Sequence, residues 1–256
     1  MTPLNESFET HPSGSVLRVS LNARTRLSVV NGELLRQAAA RLHALGRRAD
    51  LRCVIFESRD AHAWIGGADL EELGRLTQES AERFIRSIHE VCAAIRDLPV
   101  PVVASIRGYC LGAGLEIAAA CDFRLADTTA SFGMPEVRVG VPSVIEAALL
   151  PSLIGWGRTR ELVYRGHLVD ARSAHAMGLL EHCVAPDELP GLVAHVVDDI
   201  LAGAPRAIAR QKALVQEWES ATLPEAIEAG VRAFVEAYAT DEPSTYVARF
   251  FTRRRP

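Results

Sequence analysis

The sequence lacks the features that mark membrane and secreted proteins. No apolar run approaches the roughly 20 residues that a membrane-spanning helix needs. The opening segment, MTPLNESFETHPSG, does not have the charged-then-apolar pattern of a secretory leader. We therefore expect a cytoplasmic protein that does not bind membranes. We expect the opening segment itself to be a frayed polar lead-in.

The sequence also lacks long runs of like charge and closely spaced cysteine pairs. The net charge is −4, no long run carries a single sign, and only 253–255 form a small basic tip. This balance argues against a nucleic-acid groove or a membrane-surface patch. The five cysteines are odd in number, scattered and without a C-x-x-C pair. We expect buried free thiols, no metal site and no bound cofactor.

Hydrophobic periodicity predicts strands that alternate with helices. An alternating pattern predicts a half-buried strand over 15–22, and short apolar runs predict buried strands over 53–58 and 102–106. A further strand is predicted over 122–126. Helical spacing covers 31–45 and 79–98, and most of 150–251. The pattern indicates an α/β protein. We expect a core with the active site over 1–200 and a helical region for oligomer packing over 201–256.

Two glycine-rich turns each follow a predicted buried strand. They are WIGGADL (64–70) and LGAGLE (111–116), and each leads into a predicted helix start. Small residues allow close approach to the backbone, and the first N–H groups of a helix have no intrahelical partner. Two such turns that face one point would form a two-donor oxyanion hole. Neither turn has the spacing of a phosphate loop or a dinucleotide-binding motif.

Two carboxylates stand in unusual surroundings. Glu116 lies in the apolar stretch GYCLGAGLEIAAACDFRLA (108–126), and Glu136 follows a proline in ASFGMPEVRVGVP (130–142). A buried charge costs free energy unless something offsets it. Taken alone, each residue could face solvent on a helix or a turn, so the decision rests on the motifs taken together.

The segments IGGADL, GYCLGAGLEIAAACDFRLA and SFGMPEVRVG, in this order and spacing, resemble the enoyl-CoA hydratase/isomerase (crotonase) family. The similarity begins at VSLN and continues through DARSAHAMGLL (170–180) to the C-terminal helices. The resemblance implies a crotonase-like spiral of β-β-α units with a C-terminal helical region. It also implies a homotrimer or a dimer of trimers.

The resemblance also implies roles for individual residues. Glu116 and Glu136 match the two catalytic glutamates, and the backbone N–H groups of Gly66 and Ala113 match the oxyanion-hole donors. The expected substrate-binding residues are Trp64, Ala68, Asp69, Leu111 and Val144. Asp69 is also expected to brace the following helix.

The activity implied by the resemblance is reversible syn addition of water to a 2-enoyl-CoA thioester, a lyase reaction. Coenzyme A is then part of the substrate. A Δ3-Δ2 enoyl-CoA isomerase, which needs one carboxylate base, remains an alternative, as does another acyl-CoA reaction on the same fold. A non-catalytic relative that binds CoA esters or RNA is a third reading, against which the acidic balance and the glutamate pair both count.

The chain departs from the family pattern after the second glutamate. Family hydratases commonly carry P-G-A-G-G-T there, whereas this chain has PSVIEAALLP (142–151), with an additional carboxylate at Glu146. We expect Ser143 to cap a helix and Glu146 to complete a capping box on its outer face, with no role in catalysis. The alternative is that Glu146 enters the pocket, where three carboxylates would then share one apolar cavity. Arg24 and Arg26 are candidates for contact with the CoA phosphates.

Overall fold

The structure is a computed structural model that describes residues 2–23 and 25–253. Arg24 and the last residues of the basic tip, 254–255, lie outside this range. The described residues form two sheets. The strands are β1 (Leu4–His11), β2 (Gly14–Leu21), β3 (Leu51–Glu57), β4 (Ala63–Ile65), β5 (Val102–Ile106), β6 (Tyr109–Leu111), β7 (Phe123–Asp127), β8 (Ser131–Gly133), β9 (Leu168–Asp170) and β10 (His182–Val184).

The helices surround these sheets and make up most of the second half of the chain. They are α1 (Gly32–Leu45), α2 (Leu70–Leu73), α3 (Gln78–Arg96), α4 (Ala113–Ala120), α5 (Leu150–Arg165), α6 (Ala171–Ala176), α7 (Leu189–Ala202), α8 (Pro205–Trp218), α9 (Leu223–Ala237) and α10 (Glu242–Arg253). A first 3₁₀ turn spans Glu136–Val139, and a second spans Ile145–Leu149.

The chain repeatedly contributes one strand to each sheet before it enters a helix. The larger sheet has the order β1-β2-β3-β5-β7-β10, and the smaller has the order β4-β6-β8-β9. All pairs are parallel except β1 with β2 and β8 with β9. Thus β3, β4 and α3, and then β5, β6 and α4, form successive β-β-α units. The fold is the predicted α/β spiral with C-terminal helices.

The larger sheet separates two apolar clusters. Alternate residues of a strand point to opposite faces, so Val54 and Phe56 join the cluster with α1 and α3, whereas Ile55 packs with Val193 and Val197 of α7. A strand that is buried on both faces reads as a continuous apolar run, which is why the sequence revealed β3 and β5. The parallel order brings the carboxyl ends of these strands to one edge of the fold, and the smaller sheet follows there.

Two expectations for the N-terminal region are wrong. The predicted polar lead-in forms β1, which pairs antiparallel with the whole length of β2. Strand β2 is not half-buried, because Val16 faces the α7 cluster while Leu17 and Val19 face the other. The polar sequence of β1 reflects its position as an edge strand, with most of its side chains exposed.

The C-terminal helices are anchored to the core by a buried lysine. The Lys212 ammonium on α8 donates to the backbone oxygens of Ile95 (3.1 Å) and Val100 (3.0 Å), and to Asp122 Oδ2 (2.8 Å). The predicted boundary between residues 200 and 201 falls within the last turn of α7, and the division into two regions stays a prediction. None of the helices in the described ranges is long and apolar enough to cross a bilayer.

Candidate active site

The first glycine-rich turn connects β4 to α2. The Gly66 N–H donates to the Leu27 carbonyl oxygen at 2.8 Å, and a methyl group at Gly66 would lie 2.4 Å from that oxygen. Glycine is required there by close backbone approach. The expectation that Gly66 supplies an oxyanion-hole donor is wrong, because its N–H already has a partner within the fold.

A free donor lies two residues further along this turn. Val30 N–H donates to the Gly67 carbonyl (2.9 Å), and Asp69 N–H donates to the Val30 carbonyl (2.8 Å). These two bonds flank Ala68, whose N–H has no acceptor among residues 2–23 and 25–253. The Asp69 carboxylate accepts from Glu71 N–H at 2.8 Å and caps α2, in agreement with the expected bracing role.

The second turn lies directly against the first. Gly112 has φ 52° and precedes the first residue of α4, Ala113, so the Ala113 N–H has no intrahelical partner. A methyl group at Gly114 would lie 2.3 Å from the Ile65 carbonyl oxygen at the end of β4. The structure therefore places the turns that carry Ala68 and Ala113 side by side.

Glu116 lies one helical turn into α4 and is 4% exposed. Burial, and then the charges of Glu136 and Glu146, raise its pKa to about 8. The nearby backbone of Ala147 and Val144 lowers the pKa and so acts in the opposite direction. Glu116 therefore holds a proton at neutral pH, and that proton can be released within a physiological range.

Glu136 reaches the same point from the first 3₁₀ turn. Its Oε1 lies so close above Gly112 that a methyl group there would be 2.3 Å away. Its Oε2 accepts a hydrogen bond from the Ser143 hydroxyl at 2.7 Å. Burial raises the pKa of Glu136, and the bond from Ser143 opposes that rise. The second turn is thus bordered by two carboxylates on different elements.

The expectation that Glu146 completes a capping box on an outer face is wrong, whereas its expected lack of a role in catalysis stays a prediction. Ser143 caps no helix, because its hydroxyl is bound to Glu136, and the second 3₁₀ turn has no side-chain cap. Glu146 is 8% exposed, and its Oε1 is 2.7 Å from Nδ1 of His89 on α3. It therefore lies inside the protein, near enough to Glu116 for its charge to raise the pKa of that carboxyl.

The other expected substrate-binding residues occupy different environments. The Trp64 indole is in the core, where its N–H donates to the Phe56 carbonyl at 3.0 Å, so its side chain does not line the turn surface. The Leu111 carbonyl lies beside Gly67 at the contact between the two turns. Val144 is partly exposed, and its backbone is one of the groups that lower the pKa of Glu116. Arg26 is exposed.

Sequence reasoning missed Ser143 as a partner of Glu136, and it did not consider His89. The S-x-x-E spacing of Ser143 and Glu146 is also the pattern of a capping box, so local sequence favoured the wrong role. His89 is 57 residues from Glu146, and no local pattern links them. Within the described ranges, no group of three or more His, Cys, Asp or Glu residues is arranged to hold a metal ion.

Comparison with known proteins agrees with this geometry. The family model described as "Enoyl-CoA hydratase/isomerase" matches residues 11–256. The putative enoyl-CoA hydratase/isomerase YngF of Bacillus subtilis is 30% identical over 238 residues, which are 93% of this chain and 92% of that protein. The probable enoyl-CoA hydratase EchA17 of Mycobacterium tuberculosis is 33% identical over 227 residues, 88% of this chain and 87% of that protein.

A solved structure extends the likeness to the whole fold. The crystal structure of an enoyl-CoA hydratase from Bacillus anthracis superposes with a TM-score of 0.90, at 28% identity and 98% coverage of both chains. The sequence motifs, the β-β-α spiral and these matches agree, and the chain belongs to the enoyl-CoA hydratase/isomerase family.

Proposed function

We propose that the protein is an enoyl-CoA hydratase that adds water reversibly to a 2-enoyl-CoA thioester. One observation carries the proposal: the buried carboxylate of Glu116 and the half-buried carboxylate of Glu136 lie beside turns whose Ala68 and Ala113 N–H groups have no acceptor within residues 2–23 and 25–253. Relatives whose names include the short-chain-enoyl-CoA hydratase of Clostridium acetobutylicum, 26% identical over 243 residues, support this choice within the family.

The two N–H groups would bind the thioester oxygen. When water attacks the β-carbon, negative charge develops on that oxygen as the enolate forms. Fixed backbone donors stabilise the enolate without reorganisation, and the loss of one such donor in other enzymes costs about 3–4 kcal/mol. In this proposal Ala68 replaces Gly66 as the first donor, because the Gly66 N–H is bonded to Leu27 whereas the Ala68 N–H has no acceptor among the described residues.

Each of the two carboxylates would carry out one of the two proton transfers. During hydration, ionised Glu116 takes a proton from the attacking water, and protonated Glu136 delivers its proton to the α-carbon. Dehydration uses the reverse arrangement, with the proton on Glu116. Both directions therefore need one proton on the pair. The pKa of about 8 at Glu116 favours the dehydration-ready form before substrate binds.

A panel of acyl-CoA esters with product analysis by mass tests the proposal. A gain of one water identifies a hydratase. An unchanged mass with a shifted double bond identifies the Δ3-Δ2 isomerase alternative, in which one glutamate suffices. Glu116→Gln separates the two further, because it abolishes hydration but leaves much of an isomerase activity that depends on Glu136.

We also propose that the protein assembles as a trimer or a dimer of trimers. Four apolar residues of α9 are each more than half exposed, namely Ile227, Val231, Phe234 and Val235. Phe251 of α10 is also more than half exposed. Such contiguous apolar stripes are typical of an interface. Sedimentation at micromolar concentration tests this, and a monomer would contradict it.

The cytoplasmic location also stays a prediction.

A further inference from the structure

The segment 143–147 is held by side-chain hydrogen bonds at two points. At its start, the Ser143 hydroxyl donates to Oε2 of Glu136 at 2.7 Å. Near its end, Oε1 of Glu146 lies 2.7 Å from Nδ1 of His89 on α3. This short segment therefore connects a proposed catalytic carboxylate with a histidine on a different element of the fold.

The Glu146 carboxylate depends on this histidine. The Glu146 side chain is 9% exposed, whereas that of His89 is 52% exposed. The second carboxylate oxygen, Oε2, is buried and has no hydrogen-bond partner within residues 2–23 and 25–253. A buried carboxylate is stable only where donors or an opposite charge compensate it. With Glu146 ionised, Nδ1 of His89 carries a proton and donates it, in the neutral ring and in the imidazolium alike.

The other titratable groups near Glu146 do not replace His89. Burial, and then the charges of Glu146 and Glu116, raise the pKa of the Cys92 thiol on α3 well above its usual range. This thiol stays protonated, and a thiol is only a weak donor. Glu116 on α4 is itself a carboxyl, so it brings no positive charge. Among these neighbours, His89 is the strong donor.

The segment is strained between its two hydrogen bonds. Ile145 has φ 41°, a left-handed conformation that a β-branched residue rarely adopts. Such a conformation persists only where the surrounding structure holds it. Pro142 and Val144, which precede Ile145, lie at the surface, whereas Glu146, which follows it, is buried. The hold on this conformation therefore comes from the Glu146 side of the segment.

We propose that His89 is a positioning residue: it holds Glu146 in the protein and thereby fixes the segment that presents Ser143 to Glu136. This inference rests on the proposed hydration, in which Glu136 delivers the proton to the α-carbon. Without the His89 donor, the Glu146 carboxylate would turn to solvent and the strained segment would relax. The Ser143 hydroxyl would then lose its alignment with Glu136.

The pKa of Glu136 reports whether Ser143 is in place. Burial raises this pKa, whereas the Ser143 hydroxyl and the backbone of Glu136 itself lower it. Neither His89 nor Glu146 is among the groups that shift it directly. A substitution at position 89 is therefore expected to move the Glu136 pKa through the hydrogen bond from Ser143.

Two variants of similar shape separate the donor from the volume of the side chain. His89→Asn keeps an N–H donor close to the position of Nδ1, whereas His89→Leu has no donor. Because the His89 side chain is half exposed, we expect both variants to fold. The matched control is His195→Leu on α7, since His195 is also an exposed histidine and lies 3.7 Å from a carboxylate, that of Asp199.

The first measurement is kcat/KM as a function of pH. His89→Leu should move the acidic limb to higher pH, because the bond that stabilises ionised Glu136 is lost. His89→Asn and His195→Leu should keep the wild-type limb. An acidic limb that stays in place in His89→Leu, or one that moves equally in His89→Asn, would overturn the proposal.

An infrared titration without substrate separates this inference from the proposed function. The carboxyl band of protonated Glu136, identified by its absence in Glu136→Gln, should have a midpoint that is higher by about 0.5 pH units or more in His89→Leu than in wild type. When Ser143→Ala is already present, His89→Leu should cause no further shift.

The two proposals can fail independently in this titration. A wild type that hydrates no ester but shows these shifts would refute the function and support the positioning role. An unmoved midpoint in His89→Leu would overturn the positioning role and mean that apolar packing alone holds the segment. A further shift in the double variant would also overturn it, because His89 would then act by a route other than Ser143.

Discussion

The Ser143 hydroxyl donates a 2.7 Å hydrogen bond to Oε2 of Glu136. It thereby fixes one carboxylate of the site while the other oxygen of that carboxylate lies over Gly112. The bond also stabilises the ionised form of Glu136 and so lowers its pKa against the effect of burial. A single hydroxyl therefore influences both the position and the acidity of this group.

Ser143→Ala should shift one side of the pH–rate profile. Because the proposed reaction needs one proton on the glutamate pair, the rate should fall below the pKa of Glu136 and above that of Glu116, near pH 8. Loss of the hydroxyl raises the pKa of Glu136, so the acidic limb should move to higher pH while the alkaline limb stays near 8. The measurement is kcat/KM between pH 5 and 10. An acidic limb that stays in place would remove Ser143 from this role.

Gly112→Ala should abolish most activity. The new methyl group would lie 2.3 Å from Glu136 Oε1, and the residue would have to adopt φ 52°. We expect the Glu136 carboxylate to be displaced and turnover to fall by about 100-fold or more, since a misplaced proton donor loses most of its contribution. The control is Gly191→Ala on α7, where a methyl group meets nothing within 4 Å. Wild-type turnover in both variants would contradict the site geometry.

Glu116→Gln should show how much ionisation of the buried Glu116 carboxylate lowers the free energy of unfolding. Its pKa is about 8 in the folded protein against an ordinary value of 4.5, so between these values the folded state binds a proton that the unfolded state has lost. Wild-type stability from this group is therefore present below pH 4.5 and is lost as pH rises to about 8. In Glu116→Gln this decrease in stability does not occur, because the glutamine side chain does not ionise.

Chemical denaturation at pH 5 and pH 9 measures the difference. Relative to wild type, the free energy of unfolding of Glu116→Gln should rise by about 2–5 kcal/mol between the two values. A constant difference would mean that the Glu116 pKa is ordinary and that the carboxylate is solvated.

Lys212→Met should loosen the C-terminal helices. The substitution leaves two backbone oxygens and the Asp122 carboxylate without their buried donor, and removal of one partner from such a site typically costs about 3–5 kcal/mol. We expect a lower free energy of unfolding and faster hydrogen exchange in α8. Lys212→Arg is the matched variant because it keeps the charge. Unchanged exchange in α8 after Lys212→Met would show that apolar packing alone holds this helix.

Local sequence predicted the parts of the fold that local physics determines. The helix over 31–45 is capped by Asn31, whose side chain accepts from Leu34 N–H, and the strand over 102–106 is a continuous apolar run that packs on both faces. Strand β1 escaped detection because its pairing with β2 depends on backbone bonds, while its own side chains are largely polar and exposed.

In the candidate active site, too, local sequence predicted some residues and missed contacts between residues that are distant in the chain. Glu116 and Glu136 stood out because their motifs are contiguous in sequence. Whether Gly66 or Ala68 has the free N–H depends on Leu27, which lies far along the chain on another loop. The position of Glu146 depends on Glu136 holding Ser143 and on His89 of α3. Tertiary contacts overrode the capping pattern that local sequence favoured.

The most direct measurement of the central claim is the mass of the product formed from a 2-enoyl-CoA ester in water enriched in heavy oxygen. The account predicts that wild-type product gains one water carrying the label. It also predicts that Glu136→Gln forms none of this product while it binds the ester within about tenfold of the wild-type affinity, since the amide is similar in shape but cannot transfer the proton. A wild-type product of unchanged mass with a shifted double bond, or hydration at the wild-type rate by Glu136→Gln, would contradict the account.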